Sequence, residues 1–272
     1  MNNRVLKKLH WCVVLLCIQT ALNAHDYWMS PLKYHVEAGA EVPVRLFVGD
    51  HFNPEIERPL QEDMTVEFVL HRRSAKPVNL VDPTNYDKKP VAGLNLKHSG
   101  VHLLSMQRDW AVIEMTGPKF HQYLEHEGLT KVIEQRKKAG EAEQTATERY
   151  RRYLKSLLAV GGKTDDTWKK QLGHKLEIIP LSNPLVAKPG DKVAFKILLD
   201  GKALTNVQTA AMGRDGEKVT DVHAKTNDKG VVTYQFGHSG EWVVRLVHLR
   251  KCKDKEGIDY ESFWSAITFG IK

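Results

Sequence analysis

The chain has 272 residues, 42% of them hydrophobic, and a formal net charge of +7. This length is enough for two domains of ordinary size. Part of the charge comes from Arg4, Lys7 and Lys8, and without these three residues it falls from +7 to about +4. Because so small an excess is typical of an ordinary solvated surface, we expect no nucleic-acid partner.

Residues 1–24 predict a cleavable secretory signal peptide. Three basic residues precede an interrupted apolar run over residues 11–22. A basic start, a short apolar stretch and a small residue at the exit define such a signal, and the run is well short of the ~20 apolar residues of a membrane-spanning helix. The favoured cleavage follows Ala24, with cleavage after Ala21 as the alternative. We therefore expect a periplasmic protein that begins at His25, without stable membrane insertion.

The number of cysteines predicts a mature protein that is stabilised by its packed core, without disulfides. Cleavage after Ala24 would remove two of the three cysteines and leave only Cys252. A single thiol cannot form an intramolecular disulfide. Cys252 lies in a charged stretch, where neighbouring cations favour a thiolate, but we favour an ordinary loop cysteine over a reactive one.

Short β-strands are predicted in the N-terminal part of the mature chain. Asn53-Pro54 and Asp82-Pro83 are among the turn signals that separate them. Several short strands with frequent turn signals are typical of a β-sandwich. The predicted strands cover residues 42–48, 65–71, 101–106 and 110–115.

A helical insert is predicted for residues 118–175. Up to about residue 158, apolar side chains recur with the period of a helix. Gly128 and Gly140 divide this stretch into about three helices. The apolar face of the third predicted helix is formed by Tyr150, Tyr153, Leu154, Leu157 and Leu158.

Strand signals return after the insert and continue to the C-terminus. Asp200-Gly201 and Asp215-Gly216 are good turn sequences between strands. The pattern predicts a second β-sandwich. Its predicted strands cover residues 177–180, 193–199, 231–236, 242–249 and 264–271.

The two β segments also resemble each other in sequence. Residues 39–49 parallel residues 190–201, and each segment later has a His-Ser-Gly triplet before an apolar strand, at His98 and His238. Two matches in the same order favour a pair of related sandwiches. A single mixed-fold domain is the alternative.

The predicted fold is therefore mainly β. It consists of two tandem Ig-like or prealbumin-like β-sandwich domains with an inserted helical segment. The predicted division is a signal peptide over 1–24, an N-terminal β-sandwich over 25–117, a helical insert over 118–175 and a C-terminal β-sandwich over 176–272.

Cleavage after Ala24 would give His25 a free α-amine beside its imidazole. An α-amine with a pKa near ~8 can lose its proton to a metal at neutral pH and can chelate one ion together with Nδ1 of the ring. A second imidazole would complete a histidine brace, three nitrogens in a T that suit Cu(II) or Ni(II) better than Zn(II). The amine–peptide–peptide–His motif is absent, because Tyr27 occupies the third mature position.

His248 is the first candidate for the second imidazole. It lies in the predicted strand 242–249 just before a polar loop, and a strand can hold a ligand rigidly. His51, at the end of the first long strand, is the second candidate. Further candidates are the imidazoles of His98, His102 and His238 and the carboxylates of Asp259 and Glu261.

Motifs along nearly the whole mature chain resemble a known family. They lie at residues 24–31, 120, 123–124, 127–129, 136, 148–150, 172–173, 176–180, 183–184, 240–242, 248, 260–264 and 268–269. The family that they resemble is an uncharacterised group of exported bacterial proteins, often described as a periplasmic component of cobalt or nickel uptake. The resemblance implies nickel or cobalt as the metal, and His25 and His248 match the family pattern.

The sequence therefore predicts periplasmic binding of a divalent transition metal, nickel, cobalt or copper, for uptake or homeostasis without catalysis. The expected ligands are His25, His248 and His51, and a membrane metal transporter is a candidate partner. No GxSxG elbow, glycine-rich phosphate loop or HExxH motif is present. The alternatives are a metal-free β-sandwich interaction module and a copper-dependent polysaccharide oxidase.

Overall fold

A computed structural model describes residues 26–272, and this part of the chain is mainly β, as predicted. Every strand predicted from the sequence is present. The helices are α1 (Gly117–His126) and α2 (Thr130–Lys138). The strands are β1 (Asp26–Pro31), β2 (His35–Val36), β3 (Ala40–Gly49), β4 (Ile56–Arg58), β5 (Thr65–Arg72), β6 (Val78–Asn79), β7 (Ala92–Leu96), β8 (Gly100–Arg108), β9 (Ala111–Met115), β10 (Ala146–Val160), β11 (Leu176–Pro180), β12 (Lys192–Leu199), β13 (Lys202–Ala203), β14 (Gln208–Asp215), β15 (Lys218–Lys225), β16 (Val231–Gln235), β17 (Gly240–Lys251) and β18 (Tyr260–Ile271).

The strands form three sheets. The central sheet has the order β15-β14-β17-β18-β10-β8-β5-β6, and β2 and β9 also pair with β10. In the first outer sheet, β3 pairs with β1, β4 and β7; in the second outer sheet, β12 pairs with β11, β13 and β16. Two sandwiches therefore share one continuous central sheet.

The two halves of the chain repeat one topology. From the central β10–β18 pair, the sheet reads outward as β10-β8-β5-β6 on one side and β18-β17-β14-β15 on the other. Because β10 and β18 are parallel, a two-fold axis relating them must run along the strands. That rotation turns the sheet over, so the two outer sheets cover opposite faces. The segments with similar sequence, residues 39–49 and 190–201, include β3 and β12, the middle strands of the outer sheets.

Alternate side chains of the central sheet pack into separate cores. On β8, Leu104 and Met106 face the first outer sheet, whereas Val101 and Leu103 face the second. Side chains of a strand alternate between faces, and a sheet that is covered on both faces needs apolar residues on both. Each fully buried side chain of this kind contributes about 1.5–3 kcal/mol to folding.

The prediction of a third helix in the insert is wrong, because Ala146–Val160 form the long strand β10. Tyr153 and Leu157 lie in the core of the second outer sheet, while Leu154 and Leu158 lie in the core of the first. Pairs of adjacent apolar residues on a strand buried on both faces imitate the i, i+3, i+4 spacing of a helix. The first two predicted helices are confirmed as α1 and α2.

The helices form a smaller core against the central sheet. Phe120 and Tyr123 of α1 pack on Tyr260 and Trp264 of β18, with ring centroids 5.1 Å apart for Phe120–Tyr260 and 6.0 Å apart for Tyr123–Trp264. Aromatic pairs at these distances add to the gain from area burial. This packing brings the C-terminal end of α1 close to β17.

Within residues 26–272, no helix has the length and apolar character needed to cross a membrane. The predicted signal peptide and His25 lie outside the described residues. The described part of the chain begins directly at β1, with Asp26 paired in register with Gly49 of β3.

Candidate functional site

Asp26, the residue that follows His25, is buried against Arg245 of β17. Arg245 Nε lies 2.6 Å from Asp26 Oδ1. On its other side, Arg245 Nη2 donates to Glu127 Oε1 at 3.1 Å, and Nη1 also donates to the same carboxylate. This arginine therefore ties the start of β1 to the end of α1 and fixes the position of Asp26.

The charges of this ion triad affect one another. Burial raises the pKa of Asp26 to about 6, against the lowering effect of Arg245. Burial also favours neutral Glu127, but Arg245 and a hydrogen bond from His126 hold the pKa of Glu127 below its usual value. With two carboxylates around one guanidinium, the triad favours a positive charge nearby.

Three imidazoles from separate elements lie beside the triad. The rings of His51, in the β3–β4 turn, and His126, at the end of α1, are 5.8 Å apart edge to face. Asp221 of β15 joins two of the imidazoles, because its Oδ2 is 3.1 Å from His51 Nδ1 and its Oδ1 is 3.0 Å from His223 Nε2. We call His51, His126, Asp221 and His223 the histidine cluster.

A tight turn after β3 positions His51. The backbone is left-handed at His51 and Phe52, with φ of 51° and 60°, a conformation that non-glycine residues seldom adopt. The buried Phe52 ring holds the turn by packing on Trp28, 5.1 Å between centroids. Gly49 is required at its start, because a Cβ there would lie 1.8 Å from the carbonyl oxygen of Asn53.

A second glycine positions the end of α1. Gly128 has a φ of 66°, which suits the residue just after a helix. A Cβ at Gly128 would lie 2.3 Å from the side-chain carboxamide of Gln208. The same carboxamide lies 3.3 Å from His223, measured from Nε2 to Nδ1. This close approach brings His126 and His223 to one region.

The hydrogen bonds of His51 and His126 suit metal ligands. In both rings Nδ1 is hydrogen-bonded to a carboxylate. His126 Nδ1 lies 3.2 Å from Glu127 Oε1, and His51 Nδ1 lies 3.1 Å from Asp221 Oδ2. Because a carboxylate only accepts, Nδ1 carries the proton in both rings, and Nε2 has no hydrogen bond within residues 26–272. A carboxylate on the other ring nitrogen is the usual support of a metal-bound histidine. The donor chemistry therefore fits a transition metal at the two Nε2 atoms.

His223 differs, because both of its ring nitrogens are engaged, one by Asp221 and one by Gln208. It can orient Asp221 but offers no free nitrogen. The side chains of His51 and His126 are 58% and 44% exposed, so an ion could reach them directly from solvent.

His248 lies on the opposite face of the central sheet from Arg245. The alternate residues Val244 and Leu246 belong to the core of the second outer sheet, and His248 points to the same side. Burial and then the Arg250 charge lower its pKa. The structure therefore places His51 near Asp26 and His248 away from it.

The remaining candidates from the sequence are dispersed. His102 is buried on β8 with Nδ1 3.4 Å from the Gly100 carbonyl, and His238 stacks on Trp242. His98 is exposed and lines a surface depression. Asp259 accepts a hydrogen bond from the backbone of Thr147 at 2.8 Å.

Elsewhere in residues 26–272, Cys252, Asp254 and Glu261 have ligand atoms within 4.8 Å of one another. Their carboxylates already have cationic partners. Arg149 Nη2 lies 2.6 Å from Asp254 and 2.5 Å from Glu261, and Arg250 Nε lies 2.7 Å from Glu261. Since these guanidiniums neutralise the carboxylates, we assign no metal to this group.

Sequence reasoning did not single out His126 or His223. Neither belongs to a metal-binding spacing motif, and only tertiary packing brings α1 and β15 to the β3–β4 turn. The sequence signal closest to them was the Glu127-Gly128 pair in the family resemblance. Glu127 belongs to the ion triad and Gly128 ends α1.

No curated protein matches the sequence. Among solved structures, the chain is similar to Escherichia coli alpha-2-macroglobulin activated by porcine elastase, with 8% identity and a TM-score of 0.20. That similarity covers 89% of this chain and 20% of the other chain, so this protein spans about a fifth of its length. A TM-score this low does not establish a shared fold. Residues 22–250 match the family described as a domain of unknown function, DUF4198. The match covers most of the chain, and the protein therefore belongs to the DUF4198 family.

Proposed function

We propose that this protein binds a divalent transition metal, nickel, cobalt or copper, in the periplasm for uptake or homeostasis. The ligands would be the α-amine and ring of His25 with Nε2 of His51 and His126. The observation that carries this proposal is the burial of Asp26 in the Arg245–Glu127 triad, which brings the residue after His25 beside two carboxylate-supported imidazoles.

The charge around the histidine cluster supports a cation. Asp26, Glu127 and Asp221 supply three carboxylates, and Arg245 is the one guanidinium within residues 26–272 that contacts two of them. An excess of negative groups at a partly exposed site raises the local concentration of cations. The hydrogen bond to Glu127 raises the pKa of His126, so protons and metal would compete for its Nε2 and affinity would fall in acid.

Exposure of the rings fits capture and delivery better than permanent storage. Metal held by half-exposed imidazoles on a turn and a helix end can exchange with a partner without opening a core. A membrane metal transporter is the partner that the family resemblance suggests. His248 is left out of the proposed ligand set because it faces the other side of the central sheet.

The direct test is titration of the exported protein with Ni(II), Co(II) and Cu(II), after mass spectrometry has established His25 as the first residue. A variant with one extra alanine before His25 should bind at least about tenfold more weakly, because the α-amine becomes an amide. His51→Ala and His126→Ala should also bind more weakly. His98→Ala, which removes an exposed histidine elsewhere, is the matched control.

Equal metal affinity in the mature and alanine-extended forms would contradict a metal site at His25. Purified protein without metal, and with no gain in heat stability on adding metal, would favour the metal-free interaction module instead. Copper-dependent peroxide production in the presence of a reductant would identify the oxidase alternative.

A further inference from the structure

A cavity of about 270 Å³ lies between the start of β1, the central sheet and α1. Its walls include apolar side chains of β9, Arg58 of β4 and aromatic side chains of β1, β10, α1 and β18. None of the four members of the histidine cluster lines it, so the cavity is a separate feature.

Three guanidiniums line this cavity, those of Arg58, Arg108 and Arg152, and the last two have buried N–H groups without a carboxylate partner among the described residues. Arg108 is 4% exposed, and its Nη2 donates to Gln61 Oε1 at 2.7 Å. Its Nη1 and the Nε of Arg152 are buried and have no hydrogen-bond partner among the described residues. Within the same residues, neither guanidinium forms an ion pair. A buried charge without a partner is costly, and burial together with Arg152 lowers the pKa of Arg108.

Aromatic faces hold the guanidiniums in place, while Arg108 Nη1 and Arg152 Nε keep their N–H groups without a hydrogen bond in the described chain. Arg108 and Arg152 lie 4.8 Å and 5.2 Å from the centre of the Tyr27 ring. Arg152 also lies 4.6 Å from the Tyr150 ring and 5.3 Å from the Trp264 ring. Such cation–π contacts stabilise the guanidiniums without using their N–H donors. The buried hydroxyl of Tyr27 is likewise without a hydrogen bond in the described chain.

Among the described residues, Glu148 supplies the one carboxyl of the cavity wall, and it does not neutralise both Arg108 and Arg152. Glu148 Oε1 accepts a hydrogen bond from Tyr123 at 3.3 Å and another from Ser262, while Oε2 has no partner within residues 26–272. Burial raises the pKa of Glu148 to about 7, despite the lowering effects of these hydrogen bonds and of Arg152. Even when Glu148 is ionised, its single charge is outnumbered by the guanidiniums of Arg108 and Arg152, so the cavity keeps a positive excess.

We propose that the cavity binds a small organic carboxylate with an apolar body. The carboxylate would accept from the free N–H groups of Arg108 and Arg152, which form strong charge-assisted hydrogen bonds with such oxygens. The apolar body would lie against Met64, Ile113 and Met115, which line the same cavity. An inorganic anion would satisfy the charges but leave this apolar wall unfilled. The inference does not depend on metal binding.

The probes are benzoate, succinate and inorganic phosphate, added to the exported protein in sodium chloride buffer with EDTA and followed by calorimetry. Benzoate should bind, with succinate and phosphate at least about tenfold weaker, because they lack an apolar body. Arg108→Gln and Arg152→Gln should each weaken benzoate binding by at least about tenfold. Arg45→Gln, which removes an equal charge from a side chain that is 45% exposed on β3, should leave it unchanged.

Three results would overturn the proposal: no probe binding above a matched chloride titration, equal benzoate affinity in Arg108→Gln and Arg45→Gln, or tighter binding of phosphate than of benzoate. If the arginine variants fail to fold, Tyr27→Phe removes only the unpartnered hydroxyl and should weaken benzoate binding by about threefold. A crystal structure with benzoate is then the second test. Benzoate inside the cavity supports the proposal, and benzoate elsewhere contradicts it. EDTA keeps the result independent of the metal site.

Discussion

Arg245 and Asp26 form a buried ion pair, 2.6 Å from Nε to Oδ1, between the second half of the chain and the residue that follows His25. Glu127 completes the contact from the end of α1. One side chain of the central sheet thus joins the first outer sheet to the helical segment. The proposed metal site depends on this junction, because it places β1 beside the histidine cluster.

Arg245→Met should destabilise the protein by about 3–5 kcal/mol, because it leaves Asp26 and Glu127 buried as carboxylates without their cation. Urea unfolding at pH 7 measures the change. Arg250→Met is the control, since its side chain is 41% exposed beside Glu261 and an exposed ion pair contributes about 0–1 kcal/mol. Equal losses in the two variants would contradict the importance of the triad.

Gly49→Ala should distort the turn that carries His51. The new Cβ would lie 1.8 Å from the Asn53 carbonyl oxygen, so the turn must move, at a cost of about 1–3 kcal/mol. Metal affinity should fall with it if His51 is a ligand. Gly93→Ala is the matched control in the same outer sheet, because a Cβ there meets no atom within 4 Å. Thermal unfolding and calorimetry of both variants test the two effects.

The sandwich architecture could be predicted from the sequence because its signals are local. Alternating apolar residues and turn sequences define β3, β5 and β12, and the similarity of residues 39–49 to residues 190–201 reflects the two-fold topology. β10 could not be recognised in the same way. A strand buried on both faces loses the alternation that distinguishes it from a helix.

The candidate site could be predicted only in part. His51 was found because it follows a long strand, but His126 and His223 approach it through packing that no spacing expresses. The ranking of His248 first depended on its position at a strand end, where the sequence does not tell which face a side chain takes. One residue of register decides that face, and here Leu246 and His248 face the second outer sheet.

Asp221→Asn should weaken metal binding by about 10–100-fold under the proposed function, because the carboxylate that orients His51 and favours its Nδ1 proton is lost. Calorimetry with Ni(II) and Cu(II) measures the effect. Asp166→Asn, on an exposed side chain in a separate turn, controls for the loss of one negative charge. Unchanged affinity in Asp221→Asn would remove His51 from the ligand set.

Glu148→Gln should make the protein more stable above neutral pH and less sensitive to pH. The pKa of Glu148 is raised from 4.5 to about 7 by burial, so between these values the folded state holds a proton that the unfolded state has released. Stability therefore falls as pH rises through this window. At about 1.4 kcal/mol per pKa unit, ionised Glu148 costs about 3 kcal/mol at pH 8.

Urea unfolding of wild type and Glu148→Gln at pH 4, 6 and 8 measures this contribution. The two proteins should be similar at pH 4, where Glu148 is protonated in both states, and the variant should gain stability progressively towards pH 8. Asp26, whose pKa is also raised, is present in both proteins, so its own pH dependence cancels in the comparison. A constant difference across the three pH values would show that Glu148 does not titrate between 4.5 and 7.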